Sequence, residues 1–171
     1  MVPRVRFAHL PTSVEEMPRL SRALGGPRLL VKRDDQTGLA FGGNKTRKLE
    51  FLIAEAQAQG ARTLITGGAM QSNHCRQTAA AAARFGLDCV LVLTGELPLE
   101  PSANLLLDRF LGAEIVPVAQ RSERDRVLRE TLERVRAKGR SPHLLPYGGS
   151  SPAGALGYAF AMEELMQQGI R

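Results

Sequence analysis

From Gly38 onward the chain switches repeatedly between two hydrophobic periods. KTRKLEFLIAEAQAQG places Leu49, Leu52, Ile53 and Ala56 at intervals of three and four, the spacing of an amphipathic helix, with Gly60 as its left-handed stop. TLIT (63–66) is a short apolar strand. SNHCRQTAAAAARFG predicts a helix with Ser72 as N-cap and Gly86 as stop. DCVLVLT is a wholly apolar strand, PSANLLLDRFLG a helix with proline near its start, and AEIVPV a strand. SERDRVLRETLERVRAKG is a charge-laced amphipathic helix, PHLLPYG a strand and SPAGALGYAFAMEELMQQG a helix. Strand and helix thus alternate four times with short links. Strands without a polar face are buried on both sides. The pattern therefore predicts an α/β fold, with a four-stranded parallel sheet over residues 60–150 and helices on both faces.

The lead-in differs. PTSVEEMPRLSRALGG suggests a short helix, and PRLLVKRDD a strand that ends in two acids and need not join the same sheet. The last residues, MQQGIR, finish a helix and begin something else, as expected of an incomplete chain.

Composition narrows the class. Of 171 residues, 43% are hydrophobic and 23% charged, the balance of a globular domain with a real core. The net charge of +6 comes from scattered arginines without interleaved aromatics, which argues against a nucleic-acid groove. Two cysteines, Cys75 and Cys89, are too few for a disulfide framework or a structural zinc site, and a reduced, cytoplasmic setting is expected. The apolar runs are too short to span a bilayer, so no membrane role is expected, and MVPRVRFAHL has no signal-peptide core.

The basic residues are 19 arginines and only four lysines, and two of the lysines, Lys45 and Lys48, lie within one four-residue step. Arginine can build a basic surface, but its guanidinium stays protonated and cannot act as a nucleophile. Cations are also unfavourable at a helix start unless an anion sits there. One amine bonding a carbonyl while its neighbour offsets a phosphate would explain the pair, and pyridoxal phosphate offers both groups. The bland alternative is an exposed basic first turn.

Three glycine pairs precede helices: FGGNK (41–45), TGGAMQSNH (66–74) and YGGSSPAG (147–154). Such loops let the backbone approach a ligand, and the last two fall at the carboxyl ends of strands, where open α/β folds bind ligands. Each pair alone is more often a tight turn. None matches a nucleotide fingerprint, which lowers the standing of a nucleotide-binding fold. Ser72, Asn73 and His74 open the second of these helices. The serine reads as an N-cap or as a ligand group, the histidine as incidental and Cys75 as packing.

KRDDQTGLAFGGNKTRKLEF followed by GGAMQSNHCRQTAAAAARFGL, with YGGSSPAGALGY later, resembles the 1-aminocyclopropane-1-carboxylate deaminase and D-cysteine desulfhydrase family. These are pyridoxal-phosphate enzymes of the tryptophan synthase β-like fold. The similarity runs from about Pro11 to the end of the chain. It implies that Lys45, in G-G-N-K, bonds the cofactor covalently beside Asn44, and that Lys48 lies near the phosphate. It implies that Asn73 hydrogen-bonds the pyridine 3′-oxygen, that Ser72 binds substrate and assists proton transfer, and that Gln71 and His74 line the substrate side. It further implies that residues 1–47 begin a large cofactor domain, 48–155 form a small α/β domain and 156–171 return to the large one. The phosphate loop and substrate tyrosines would then lie in a second half, in a protein that is a homodimer when complete. Histidine after Ser72-Asn73 tilts the resemblance towards desulfhydrases, which release sulfide, ammonia and pyruvate; cyclopropane deaminases typically carry glutamine there. The competing class is an inactive fragment or phosphate-binding module.

Overall fold

The computed structural model describes residues 2–170. Its main sheet has four parallel strands in the order β5-β4-β3-β6, from Glu114–Val118, Asp88–Thr94, Thr63–Ala69 and Pro142–Leu144. Alternate residues of the central strands feed two cores. Leu64, Cys89, Leu91 and Leu93 pack against α2 (Lys45–Ala58), α3 (Asn73–Arg84) and α4 (Ala103–Phe110). Ile65, Val90 and Val92 face the other way, onto Leu128 and Val135 of α5 (Arg124–Ala137). Fully burying a side chain of this kind contributes roughly 1.5–3 kcal/mol, so the expected two-faced parallel sheet follows from strands apolar on both sides. The final helix, α6 (Pro152–Gln167), lies along α2.

Three details depart from the pattern. The strand expected at 63–66 runs on through Gly67, Gly68 and Ala69, which pair with Val92, Leu93 and Thr94. Glycine has no side chain to signal a strand, but here β4 supplies the ladder. PHLLPYG is a strand only at its start, although Leu145 N still bonds Ile65 O at 2.8 Å. Pro146 lacks the donor that would continue it. In the lead-in, the helix α1 covers only Pro18–Leu24. Residues Val14–Glu16 form β1, antiparallel to β2 (Leu30–Lys32) in a separate two-stranded sheet. Proline at the first helical position fixes where the helix begins, leaving the residues before it extended.

A buried ion cluster ties this lead-in to α6. Arg47, 2% exposed, donates through Nε and Nη2 to Asp34 at 2.9 and 2.8 Å and through Nη1 to Glu164 at 2.9 Å. Lys32 Nζ meets the same Glu164 at 2.5 Å, and hydrogen bonds from Arg47 and Lys32 hold its carboxyl down at about 2 against the desolvation that opposes it. The boundaries at 47/48 and 155/156 thus fall inside α2 and α6, two helices packed together.

Candidate active site

The helix α2 starts against local rules. Asn44 occupies the N-cap position with helical φ and ψ of −61° and −19° and makes no side-chain cap bond. The first turn carries no acid to offset Lys45 and Lys48 at the positive end of the helix dipole. Arg47, in the same turn, is consumed by the ion cluster, so the turn is not the exposed basic surface of the bland reading. The lysines point elsewhere. Lys48 Nζ donates to Gly148 O at 3.2 Å, and a Cβ on Gly148 would stand 4.0 Å from Lys45 Cε. Both amines therefore reach the loop after β6. Lys45 is half-buried, and desolvation, then the Lys48 charge, lowers its pKa.

The loop before Lys45 is stitched to α3. Gly42 O accepts from Arg76 Nη2 at 2.7 Å and from Gln77 Nε2. Gly43 has φ 130°, and a Cβ there would meet Gln77 Nε2 at 2.8 Å, so both conformation and space require glycine.

By contrast α3 starts by the rules. Ser72 is extended, at φ −68° and ψ 120°, and its Oγ accepts from Cys75 N at 3.3 Å. Gly68 lets β3 pass beneath it, because a Cβ there would lie 2.7 Å from Ser72 Oγ and 2.8 Å from Cys75 Sγ. Asn73 Oδ1 accepts from Asn104 Nδ2 at 2.9 Å, and Gln71 bonds the start of α4 from both ends of its side chain. Gln71 and Asn73 are exposed and Ser72 partly so.

The substrate-side reading of His74 meets a different placement. Its ring is 3% exposed beneath the loop. Thr66 Oγ1 donates to Leu145 O at 3.0 Å, so it accepts from His74 Nε2 at 3.1 Å; this puts the proton on Nε2 and leaves Nδ1 without a partner among the described residues. Burial, then the charges of Lys45 and Lys48, depress its pKa to about 4, so the ring is neutral at pH 7. Cys75 is buried, and desolvation lifts its thiol to about 12, which makes it packing rather than a nucleophile.

Sequence reasoning missed Arg76, Gln77, Asn104 and Asp108. Their significance lies in contacts with distant segments, which no local pattern announces. Asp108 is fully buried without a hydrogen-bond partner among the described residues, and desolvation raises its carboxyl to about 7 despite nearby Arg76.

The three glycine loops thus converge at the carboxyl ends of β3 and β6. The donor set fits a cofactor with an aldehyde, a phosphate and a ring oxygen. It offers one amine of lowered pKa, a second amine three residues on, and an amide and a hydroxyl at the start of α3, which packs against α2. Comparison with known proteins agrees. The family of pyridoxal-phosphate dependent enzymes matches residues 5–170, and the chain belongs to that family. It is 47% identical over 172 residues to a D-cysteine desulfhydrase of Salmonella typhimurium, covering 97% of this chain and 52% of the relative. The protein of the same name from Salmonella typhi is 46% identical over the same span. A crystal structure described as an ACC deaminase homologue superposes with a TM-score of 0.90 at 41% identity, covering 97% of this chain and 51% of that one. The chain therefore spans about half the length of the relatives it matches. No helix among the described residues is long and apolar enough to cross a membrane.

Proposed function

We propose that this chain supplies the lysine-bearing part of a pyridoxal-phosphate dependent lyase or deaminase acting on a small amino acid. The reaction read as best supported is that of a D-cysteine desulfhydrase, releasing sulfide, ammonia and pyruvate. The observation that carries the reading is the unfavourable start of α2: two lysines three residues apart, one with lowered pKa, both reaching the glycine loop at Gly148.

Each side chain then has a task its geometry suits. Lys45 is the nucleophile, since desolvation leaves more of its amine neutral. Lys48, three residues on, donates to Gly148 O and can reach a phosphate bound at that loop. Asn73, with Oδ1 already bonded, offers Nδ2 to the ring oxygen. Ser72 accepts the Cys75 amide through Oγ and so keeps its own proton free to donate to a substrate carboxylate or to move at Cα. Bound pyridoxal phosphate would supply the electron sink for the pair left at Cα. His74, neutral and buried, would act from behind the loop through Thr66 and through its lack of charge. Two buried free cysteines go with a cytoplasmic setting, and a homodimer is our reading for the complete enzyme.

The second reading is 1-aminocyclopropane-1-carboxylate deaminase, favoured by the structural neighbour; histidine at position 74 favours the first. Borohydride reduction in the presence of pyridoxal phosphate, followed by peptide mapping, tests the site. The label is expected on Lys45; a label on Lys48 alone, or none, overturns the assignment and favours a non-covalent phosphate-binding module. Sulfide released from D-cysteine, against 2-oxobutanoate from the cyclopropane amino acid, decides between the two reactions in the complete enzyme.

A further inference from the structure

An asparagine amide presents a donor at one end and an acceptor of nearly the same size at the other. Which end faces a ligand is set by its surroundings. A ring oxygen that carries negative charge needs the donor end. We propose that Arg76 and Asn104 form a polar relay that sets the direction of the Asn73 amide, turning its Nδ2 rather than its carbonyl towards the bound ligand. This deepens, and rests on, the reading of Asn73 as the partner of the cofactor ring.

The relay has two unambiguous ends. Arginine can only donate, and Arg76 Nη1 donates to Asn104 Oδ1 at 3.1 Å. A backbone carbonyl can only accept, and Gln71 O receives Asn104 Nδ2 at 2.8 Å. These two contacts independently fix the same orientation of the Asn104 amide. The second hydrogen on its Nδ2 then goes to Asn73 Oδ1, at 2.9 Å. With its acceptor occupied, Asn73 is left with a free donor on the opposite side. Asn104 N also bonds Gln71 Oε1 at 2.8 Å, which holds the loop against the start of α4. The other arm of Arg76 grips Gly42 O at 2.7 Å, three residues before Lys45. One buried guanidinium therefore ties the lysine loop to the asparagine that holds the Asn73 amide. The backbone just before Asn104 is strained, with Ala103 at φ 47°, as expected where tertiary contacts override local preference.

Three measurements test the relay. In the cofactor-free chain, both Asn104 side-chain amide protons should exchange slowly with solvent by NMR, and Arg76→Met should abolish that protection. Exchange at the rate of a free asparagine in the unmodified chain overturns the relay. Asn104→Asp keeps the acceptor for Arg76 but removes the donor, so Asn73 should reverse to donate to the new carboxylate. Pyridoxal phosphate affinity, read by absorbance titration at equal folded fraction, should then fall about tenfold, the worth of one hydrogen bond to a charged group. Lys45 should still be labelled at saturating cofactor. Unchanged affinity in Asn104→Asp, with Lys45 labelled in the unmodified chain, sinks the relay and spares the functional reading. Protected Asn104 protons with no label on Lys45 in the unmodified chain do the reverse: the geometry stands and the cofactor role falls.

Discussion

The starts of α2 and α3 stand side by side and obey opposite rules. At α3 the residue expected to cap does cap: Ser72 satisfies a free amide, and its neighbours are held by α4. At α2 the N-cap asparagine caps nothing, and two cations are stacked on the positive end of the dipole. Locally consistent structure makes a rigid wall, and locally inconsistent structure marks where another force was selected. Here burial, then the neighbouring Lys48 charge, lowers the pKa of Lys45, and both amines reach the loop at Gly148. On the proposed reading the difference divides the roles: the start of α3 would present donors to the ligand, and the start of α2 the reactive amine.

The strongest way to break this contrast is Lys45→Arg. It keeps the charge and the dipole conflict but removes the nucleophile. Covalent labelling by pyridoxal phosphate and borohydride should disappear completely, while the melting temperature changes little. A compensating label at Lys48, with activity retained, would show that the α2 start is merely a tolerated defect.

Next in size is a pH effect that joins the two helix starts. His74, in the first turn of α3, is depressed from 6.5 to about 4 by burial and by the α2 lysines. As pH falls below 6.5 the unfolded chain takes up this proton and the folded one does not, so stability is lost between 6.5 and 4. Asp108 is raised from 3.8 to about 7, so the folded state holds a proton the unfolded chain has released, and stability is lost as pH rises through 3.8 to 7. Where the windows overlap the slopes oppose, each about 1.4 kcal/mol per pH unit. Denaturant unfolding of the unmodified chain should therefore vary little from this pair between pH 4 and 6.5. Asp108→Asn should expose the His74 slope, a loss on the order of 3 kcal/mol towards pH 4. His74→Gln should expose the opposite one. Glu164, held at about 2, contributes only below 4.5. Equal profiles for all three proteins would disprove the burial of both groups.

Ser72→Ala should remove the cap and cost about 1 kcal/mol of stability. On the reading above it should damage turnover more than cofactor affinity, because Asn73 remains in place. Parallel titration and rate measurements decide this; loss of affinity with an unchanged rate per bound cofactor would move Ser72 to the cofactor side.

What the sequence disclosed follows the same divide. The sheet, its two helical faces and the capped α3 were legible because period, cap and stop are local signals. The lysine pair was legible because it violates a local rule. The extension of β3 through Gly67 and Gly68 was not, since glycines carry no pattern and only β4 calls them into a ladder. The strand at Val14–Glu16 was hidden in a stretch read as helix, because its partner lies beyond α1. The burial of His74 and of Arg47 depends on Thr66, Asp34 and Glu164, which are far away in the chain. The Arg76–Asn104 contacts, between α3 and α4, are equally non-local.

The start of α4 gives a third case and the smallest expected effect. Its N-cap, Ser102, makes no side-chain cap bond, and Ala103 sits at φ 47°, where a Cβ is disfavoured. The left-handed region costs a residue with a Cβ roughly 1–2 kcal/mol, and glycine is exempt. Glycine also loses more backbone freedom on folding, which returns about half of that gain. Ala103→Gly should therefore raise stability by less than about 1 kcal/mol, a shift of a few degrees in melting temperature. If the strain is held by the bonds of Asn104 to Gln71, those bonds should persist in the variant, and the Asn104 side-chain protons should stay protected. A gain in stability with loss of that protection would mean that the alanine itself braces Asn104 against the Gln71–Asn73 loop. A drop in stability would mean that the backbone at residue 103 is not left-handed in solution, and that α4 begins by the same local rules as α3.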